Sequence, residues 1–576
     1  MVSSSSPRDA GRAARAAVLA LLAAGATVLA TSYARAQALP SAGDVARTLP
    51  PPPVPAPSAS TPVGTAGIRS QASAPSSAGL QRFLLKEVRF PPTQAISNVE
   101  LQALAAPYLN RTVDPNDLTA LATALQQLYQ DRGLALVALA FPSQDVTAGI
   151  LYVAIVEPRL GRISVVQGGE PAISEARARG LMSYAGFVPG RPLDLRQLDR
   201  AMFSLNDLPG VAARATLTPS GDEGVFDVVV ETEARRPWDL ALDADNHGAK
   251  STGIWRGGGL VRWNNPLHVG DNVDLRVLGS NHSGLTLGRL SYEVPVVYTP
   301  WRASAGVSRV AYQLGDTFSA LDANGVAVVS DAAISYPVIR SRARNLTVRL
   351  GVENKDLQDR FDALGLRTDK RIRDVVAGTS FEDRDTLLGG GYTGASAQVQ
   401  SGTLRIDTDN VRAQDAALGD MATQGHFSKV NLQLSRLQTI SERVLLYVGA
   451  TGQWASKNLD SAEKLTLGGA SAVRAYPAAE APSDQGVVVN GELRYFIDPS
   501  WTVFVLYDWA RGQLRKRPDP GSENTRIIDG SGFGVYFSDP RIFTLKASLA
   551  WRGRDRPQSE TGNDRPRFYV QVQRPF

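Results

Sequence analysis

The chemistry in this sequence concentrates in one stretch, Leu467 to Asp508. A Gly-rich segment ending in Val473-Arg474 puts one guanidinium in a loop, and Trp501-Thr-Val-Phe-Val-Leu-Tyr-Asp508 puts one carboxylate in an otherwise apolar strand. A carboxylate held among apolar residues needs a cation or several hydrogen bonds, because desolvating an unpaired charge is expensive. A loop arginine taken alone is ordinarily solvated, so composition by itself does not pair the two. Other chemistries find little support. Cysteine is absent, which removes disulfides, thiolate metal sites and Cys nucleophiles together. The histidines at 247, 268, 282 and 426 show no metal-ligand spacing, and no Ser/His/Asp arrangement supports a hydrolase. Gly257 to Gly259 lacks the Lys-Ser/Thr and the following helix of a phosphate loop. No catalytic residue, metal or cofactor is expected.

The elements that must position Arg474 and Asp508 follow from the rest of the chain. Its 576 residues, 43% of them hydrophobic, suffice for several domains with real cores. Arg8, Arg12 and Arg15 precede an apolar run from Ala16 to Ala30 and the small-x-small site Ala34-Arg-Ala36, the pattern of a cleaved secretory leader over 1–36. A retained amphipathic helix is the alternative. The leader's four Arg and one Asp carry +3 of the formal +5, so the remaining chain is nearly neutral and nucleic acid is not expected as a partner. Past the leader no run of about 18 apolar residues occurs, which excludes a helical membrane span but not a β-barrel.

Residues 37–80 are rich in Pro, Ala and Ser and read as a linker, with a short helix over 41–49 capped by Ser41 and Asp44. Over 81–157 the order is a strand (Arg82 to Phe90), a short helix (Ser97 to Pro107), a helix capped by Asp114 with Leu118, Leu121, Leu125 and Leu128 on one face, and two strands, Leu134 to Phe141 and Gly149 to Glu157. The same β-α-α-β-β order repeats over 158–234: Gly149-Ile-Leu-Tyr-Val-Ala-Ile-Val-Glu157 is echoed by Gly224-Val-Phe-Asp-Val-Val-Val-Glu231 in the second unit, and both units carry a helix opening on Asp-Leu.

From 235 to 576 the texture is alternating strands broken by Gly, Asn and Asp, and helical signatures nearly vanish. At about ten residues per strand and as many per connection, this length supplies roughly 16 strands of a transmembrane antiparallel barrel. Soluble β-sandwiches are the alternative. Against them stand the leader, aromatic residues at strand ends (Trp501, Tyr507, Trp509), and a final strand ending in Phe576 that resembles an outer-membrane assembly signal. In a barrel, Trp501, Val503, Val505, Tyr507 and Trp509 share the lipid parity, so Asp508 faces the lumen.

Several short motifs, in order, resemble those of the two-partner secretion transporters (TpsB, the ShlB/FhaC/HecB haemolysin secretion and activation type). They are Tyr129-Gln-Asp-Arg-Gly133, Pro142-Ser-Gln-Asp145, Leu205-Asn-Asp-Leu-Pro-Gly210, Asn264-Asn-Pro-Leu-His-Val-Gly-Asp271, Ser291-Tyr-Glu-Val-Pro295, and Leu467-Gly468-Gly469 through Val473-Arg474-Ala475-Tyr476 to Gly491-Glu-Leu-Arg494. The resemblance implies two periplasmic polypeptide-transport-associated (POTRA) domains, a 16-stranded outer-membrane barrel, and a loop around 467–485 that folds into the lumen with Arg474 at its tip. On that footing Arg474 is expected to meet Asp508, the planar guanidinium matching a carboxylate at two points. The superfamily motif has Gly where Ala475 stands, so a left-handed backbone there would cost Ala about 1 kcal/mol.

The implied function is export of a large partner exoprotein recognised by the POTRA domains, by a monomer inserted into the outer membrane by the barrel-assembly machinery. A POTRA sheet edge suits an extended client, which can add to it through main-chain hydrogen bonds. The inward loop and the helix over 41–49 are the candidate blocks of the lumen. The alternatives are an outer-membrane protein assembly factor and a passive porin.

Overall fold

The protein's structure, a computed structural model, describes residues 41–47, 82–134, 136–222, 224–539, 541–560 and 566–576. The leader expected over 1–36 and most of the Pro-rich segment lie outside these residues. Ala42–Arg47 forms helix α1.

The first α+β unit contains β1 (Phe83–Leu85), β2 (Glu87–Arg89), α2 (Asn98–Ala105), β3 (Arg111–Val113), α3 (Pro115–Asp131), β4 (Ala138–Ala140), β5 (Ile150–Tyr152) and β6 (Ala154–Val156). Asp114 starts α3 by accepting from Asn116 N and Asp117 N, while Asp117 returns a bond to Asp114 N; Pro115 needs no partner at the first turn. Leu118, Leu121 and Leu125 are buried, and Tyr129 is fully enclosed with its hydroxyl donating to Glu157 at 3.1 Å. Burial and the Glu157 carboxylate push that hydroxyl well above the usual tyrosine range.

The structure corrects the strand reading of this unit. The single strand expected over Arg82 to Phe90 is two: β1 pairs antiparallel with β3, which the sequence reading missed, and β2 pairs parallel with β5. The break falls where Lys86 N and Glu87 N both donate to Gly149 O. Gly149 to Glu157 is likewise divided, and Leu134 to Phe141 shortens to β4.

The second unit comprises β7 (Arg159–Gln167), α4 (Glu175–Tyr184), α5 (Leu195–Asn206), β8 (Val211–Pro219) and β9 (Val225–Ala234), with sheet order β7-β9-β8. Leu181, Met182, Leu198, Ala201 and Leu205 press against Val211, Ala213, Leu217, Val228 and Val230. Three glycines show how closely this unit meets the barrel. A Cβ on Gly180 would lie 2.7 Å from the Tyr298 ring, one on Gly210 2.8 Å from Asn265 Cβ, and one on Gly270 2.8 Å from Leu208. Polar groups complete the joint: Asp207 accepts from Arg340 Nε (2.7 Å) and Nη2 (2.6 Å), Arg302 donates to Asp207 O, and Asn265 donates to Ala172 O. The motif Leu205-Asn-Asp-Leu-Pro-Gly210 thus joins this unit to the barrel rim.

Sixteen strands among the described residues close into an antiparallel barrel, each paired with its sequence neighbour and the last with the first. They are β10 (Trp238–Asp245), β11 (Arg256–Asn264), β12 (Asn272–Ser280), β13 (Leu285–Pro295), β14 (Arg302–Gln313), β15 (Ala323–Arg340), β16 (Arg344–Phe361), β17 (Leu366–Asp385), β18 (Gly391–Ile406), β19 (Gly425–Ser441), β20 (Val444–Ala455), β21 (Gln485–Phe496), β22 (Trp501–Gln513), β23 (Thr525–Asp539), β24 (Phe543–Arg552) and β25 (Arg567–Pro575). Closure leaves no unpaired strand edge, the condition for crossing a bilayer. The strands are not uniformly about ten residues: β15 to β19 run 16–20 residues. A helix, α6 (Asp409–Ala417), also interrupts the β texture between β18 and β19; none of its residues is buried, so it has no apolar stripe to read.

Leu125→Ala is expected to destabilise the first unit by about 3 kcal/mol, read as a lower urea midpoint. Asp207→Ala is expected to raise hydrogen exchange at the 264–270 turn, leaving the α3 amides unchanged.

Candidate functional site

Between β20 and β21 the chain does not stay outside the barrel. It turns inward at residues 456–484, and Leu467, Val473, Tyr476, Glu480, Ser483 and Asp484 are essentially without solvent exposure. Leu465 and Ser483 exchange backbone hydrogen bonds across the neck, and Val473 N donates to Leu467 O nearer the tip. Two glycines permit the fold-back. A Cβ on Gly468 would lie 2.7 Å from Glu480 Cβ, and Gly469 has φ +118°, open to glycine alone at no cost. Ala479 and Ala481, at φ 64° and 51°, carry left-handed strain of about 1 kcal/mol each.

The tip seats by apolar contact and by charge. Leu467, Val473 and Tyr476 pack on Val488, Phe504, Leu506, Ala510 and Ile528 of the barrel wall. Arg474, 3% exposed, reaches Asp508, which is 0% exposed: Nε to Oδ2 and Nη2 to Oδ1 are each 2.8 Å, and Arg474 N donates to Oδ2 at 3.1 Å. Asn490, directly across from Asp508 in the β21–β22 register, donates to Oδ1 at 2.7 Å.

Sequence reasoning missed a second carboxylate. Glu492, one step along the same face as Asn490, receives Arg474 Nη1. The alternation that singled out Asp508 applies equally here, since Glu492 lies on the lumen parity of an apolar strand. The two acids are not equivalent. Glu492 also accepts from Arg494 (2.6 and 2.8 Å) and Tyr536 (2.9 Å), with Lys546 Nζ at 3.9 Å, all from the wall itself. Among the described residues, Asp508 has from the wall only Asn490.

Ala475 adopts no left-handed conformation. Its methyl lies against Gly530 of β23, where a Cβ would collide with it and would also stand 2.8 Å from Trp551 O. The extra methyl on the loop is therefore matched by a missing one on the wall. Tyr476 ties the tip to the closing strand: Tyr569 of β25 donates to Tyr476 O, and Tyr476 donates to Asp555 O, both at 2.9 Å. Phe576 lies at the opposite end of that strand, exposed, with its N donating to Leu240 O of β10.

The stem of the loop is held on a different part of the wall. Glu463, 2% exposed, takes Lys355 of β16 and Lys429 of β19, each at 2.7 Å, and Gln400 of β18 at 3.1 Å. Asp460 pairs with Lys370, and Glu480 accepts from Gln558 N and Ser559 N. Helix α1 sits against this stem inside the barrel. Ser41 Oγ shares a 2.6 Å hydrogen bond with Ser461 Oγ, Ala42 N donates to Asp359, and a Cβ on Gly43 would lie 2.7 Å from Ala462 N. Ala42 and Val45 are buried among Leu278, Tyr312, Leu357 and Phe427.

A closed barrel carrying paired α+β units at one end, with its own loop and helix in its lumen, defines the class: an outer-membrane polypeptide-transport barrel with POTRA domains. Comparison with known proteins agrees. Residues 224–537 match the family described as haemolysin secretion/activation protein ShlB/FhaC/HecB, and residues 83–158 match the ShlB-type POTRA domain. The chain belongs to the ShlB/FhaC/HecB family, and its place is the bacterial outer membrane with the POTRA domains in the periplasm. Among relatives, the heme/hemopexin transporter protein HuxB of Haemophilus influenzae strain 86-028NP is 24% identical over 81% of this chain and 84% of its own. The outer membrane transporter CdiB of Escherichia coli is 24% identical over 74% and 70%. A solved structure of CdiB from Escherichia coli shares the fold at TM-score 0.68 and 21% identity, covering 88% of this chain and 94% of that one.

Asp508→Asn is expected to weaken loop seating more than Glu492→Gln, with Arg474→Ala costing about 3 kcal/mol; the measurement is open-channel frequency in planar bilayers. Equal effects of the two acid variants would contradict the asymmetry. Gly530→Ala is expected to raise hydrogen exchange over 468–476, while Ala475→Gly leaves it near wild type.

Proposed function

We propose that this chain exports one large partner exoprotein across the outer membrane by two-partner secretion, with Arg474 and its two carboxylates as the latch of the inward loop. The observation that carries this reading is a barrel whose lumen is occupied by its own loop and helix. A passive porin needs an open passage, and this lumen holds a loop with buried ionic anchors at tip and stem. An assembly factor shares the architecture: BamA from Haemophilus ducreyi, lacking POTRA domains 1–3, matches the fold at TM-score 0.51 and 14% identity. Membership of the secretion family favours export.

The POTRA domains receive the client. Strand β8 stands at the edge of its sheet, and an extended segment can add there by main-chain hydrogen bonding. At rest, α1 and the loop block the lumen. Release of Arg474 leaves Glu492 with its wall partners and hands Asp508 to lumen water, so the barrel wall survives opening with one carboxylate to re-solvate. Phe576 serves the barrel-assembly machinery during insertion. Catalysis has no part in this: the work is binding, gating and passage, with folding of the client outside preventing its return.

Deleting the gene for this chain is expected to trap the partner exoprotein in the periplasm while other outer-membrane proteins assemble normally, as read by fractionation. Secretion of the exoprotein at wild-type level, or a general loss of outer-membrane barrels, would sink this reading.

A further inference from the structure

The long strands β15 to β19 carry the barrel wall past the bilayer on one side. The POTRA joint at Arg340 and Arg342 marks the periplasmic ends of β15 and β16, so Phe361 and Leu366 lie at the outer end. On β16 the lipid parity reads Arg344, Leu346, Val348, Leu350, Val352, Asn354. From Arg344 to Asn354 is about 34 Å along the strand, or about 26 Å of height at a tilt near 40°, the thickness of an apolar band. Arg344 with Asp383 therefore marks the inner border and Asn354 with Arg373 the outer one.

At and just beyond that outer border, on the face turned to lipid, stand Arg373, Arg371 and Arg405. Alternation fixes their direction: Ile372, Asp374, Leu404 and Ile406 are buried on the lumen side, while Val375, Val399, Arg373 and Arg405 are exposed outward. Arg371 and Arg405 are register partners on β17 and β18, so two like charges sit directly opposite, an arrangement destabilising in itself and eased by the carboxylates beside them. Their carboxylate neighbours neutralise them only in part. Arg371 Nε takes Asp356 and Arg405 Nε takes Asp407, each at 2.7 Å, while Arg373 Nε has the uncharged Asn354 Oδ1 at 3.2 Å. Among the described residues no hydrogen bond reaches the Nη groups of Arg371 or Arg373. Two guanidinium forks thus point outward at headgroup height with their terminal donors unspent.

We propose that Arg371, Arg373 and Arg405 form a site for the phosphate of a phosphorylated lipid headgroup in the outer leaflet. Planar guanidiniums bind phosphate through paired N–H donors, and one phosphate between Arg371 and Arg405 converts the cross-strand repulsion into attraction. The site fixes the tall wall β15–β19, whose Lys355 and Lys429 hold the loop stem, at a set height in the bilayer. The inference rests on the outer-membrane placement and not on export, so its test is made on the full-length protein without a client.

The test places the purified chain in lipid nanodiscs containing bisphosphorylated lipid A, the same lipid with its phosphates removed, or neither with inorganic phosphate added. The wild type is expected to retain bisphosphorylated lipid A in native mass spectra and to show a raised Tm with that lipid alone. Arg371→Gln/Arg373→Gln/Arg405→Gln is expected to lower that affinity about ten-fold or more, with Arg344→Gln at the inner border as an unchanged control. If the triple variant fails to give a heat-modifiable barrel, the wild-type comparison of the two lipids still decides. Equal retention of phosphorylated and dephosphorylated lipid, equal affinity in the triple variant, or an equal Tm rise with inorganic phosphate alone would each overturn the proposal.

Discussion

The seating of the loop tip in the lumen depends on one enclosed charge. The Arg474 guanidinium is removed from bulk water, and a cation so placed must have its donors met or the loop cannot stay. The donors are met by acids from adjacent strands whose lumen parity is set by the pleat, so barrel register and loop position are a single constraint. A one-residue slip of β22 would turn Asp508 to lipid and Tyr507 to the lumen, leaving Arg474 without its two-point partner.

The loop is held by charge at both ends and by apolar contact between them. Glu463 at the stem and Arg474 at the tip carry opposite signs and are fixed to different parts of the wall, β16 to β19 and β21 to β22, so the loop is tied down at two places. Helix α1 rests on the stem and not on the tip, with Gly43 allowing backbone-close approach to Ala462. Removal of the helix uncovers the stem before it affects Arg474.

The architecture was legible because alternation and repetition are strong signals. Strict period-two patterning foretold the barrel, the length of the alternating region foretold its strand number, and the tandem Asp-Leu helix openings foretold two similar units. Less legible was whatever depends on partners distant in sequence. The split at Lys86 arises from one carbonyl, Gly149 O, taking two donors, which no local pattern announces. Helix α6 has no fully buried residue, Val411 being only half-buried, and so has no apolar periodicity to find. Glu492 was legible too, because the strand alternation that turns Asp508 into the lumen turns Glu492 there as well. The Ala475 problem was visible, but its answer lay 55 positions away at Gly530, where only the folded wall shows the missing methyl.

The joint between the second POTRA unit and the barrel rim has a mechanical side. At three glycines a side chain of the facing unit packs directly on the backbone, and Asp207 is clasped by Arg340 within the same contact. Such a joint has no slack. A pull on the second unit becomes torque on the turns that start β12, β14 and β16, and the rim carries the load as one stiff collar, leaving no swivel at this point to absorb it.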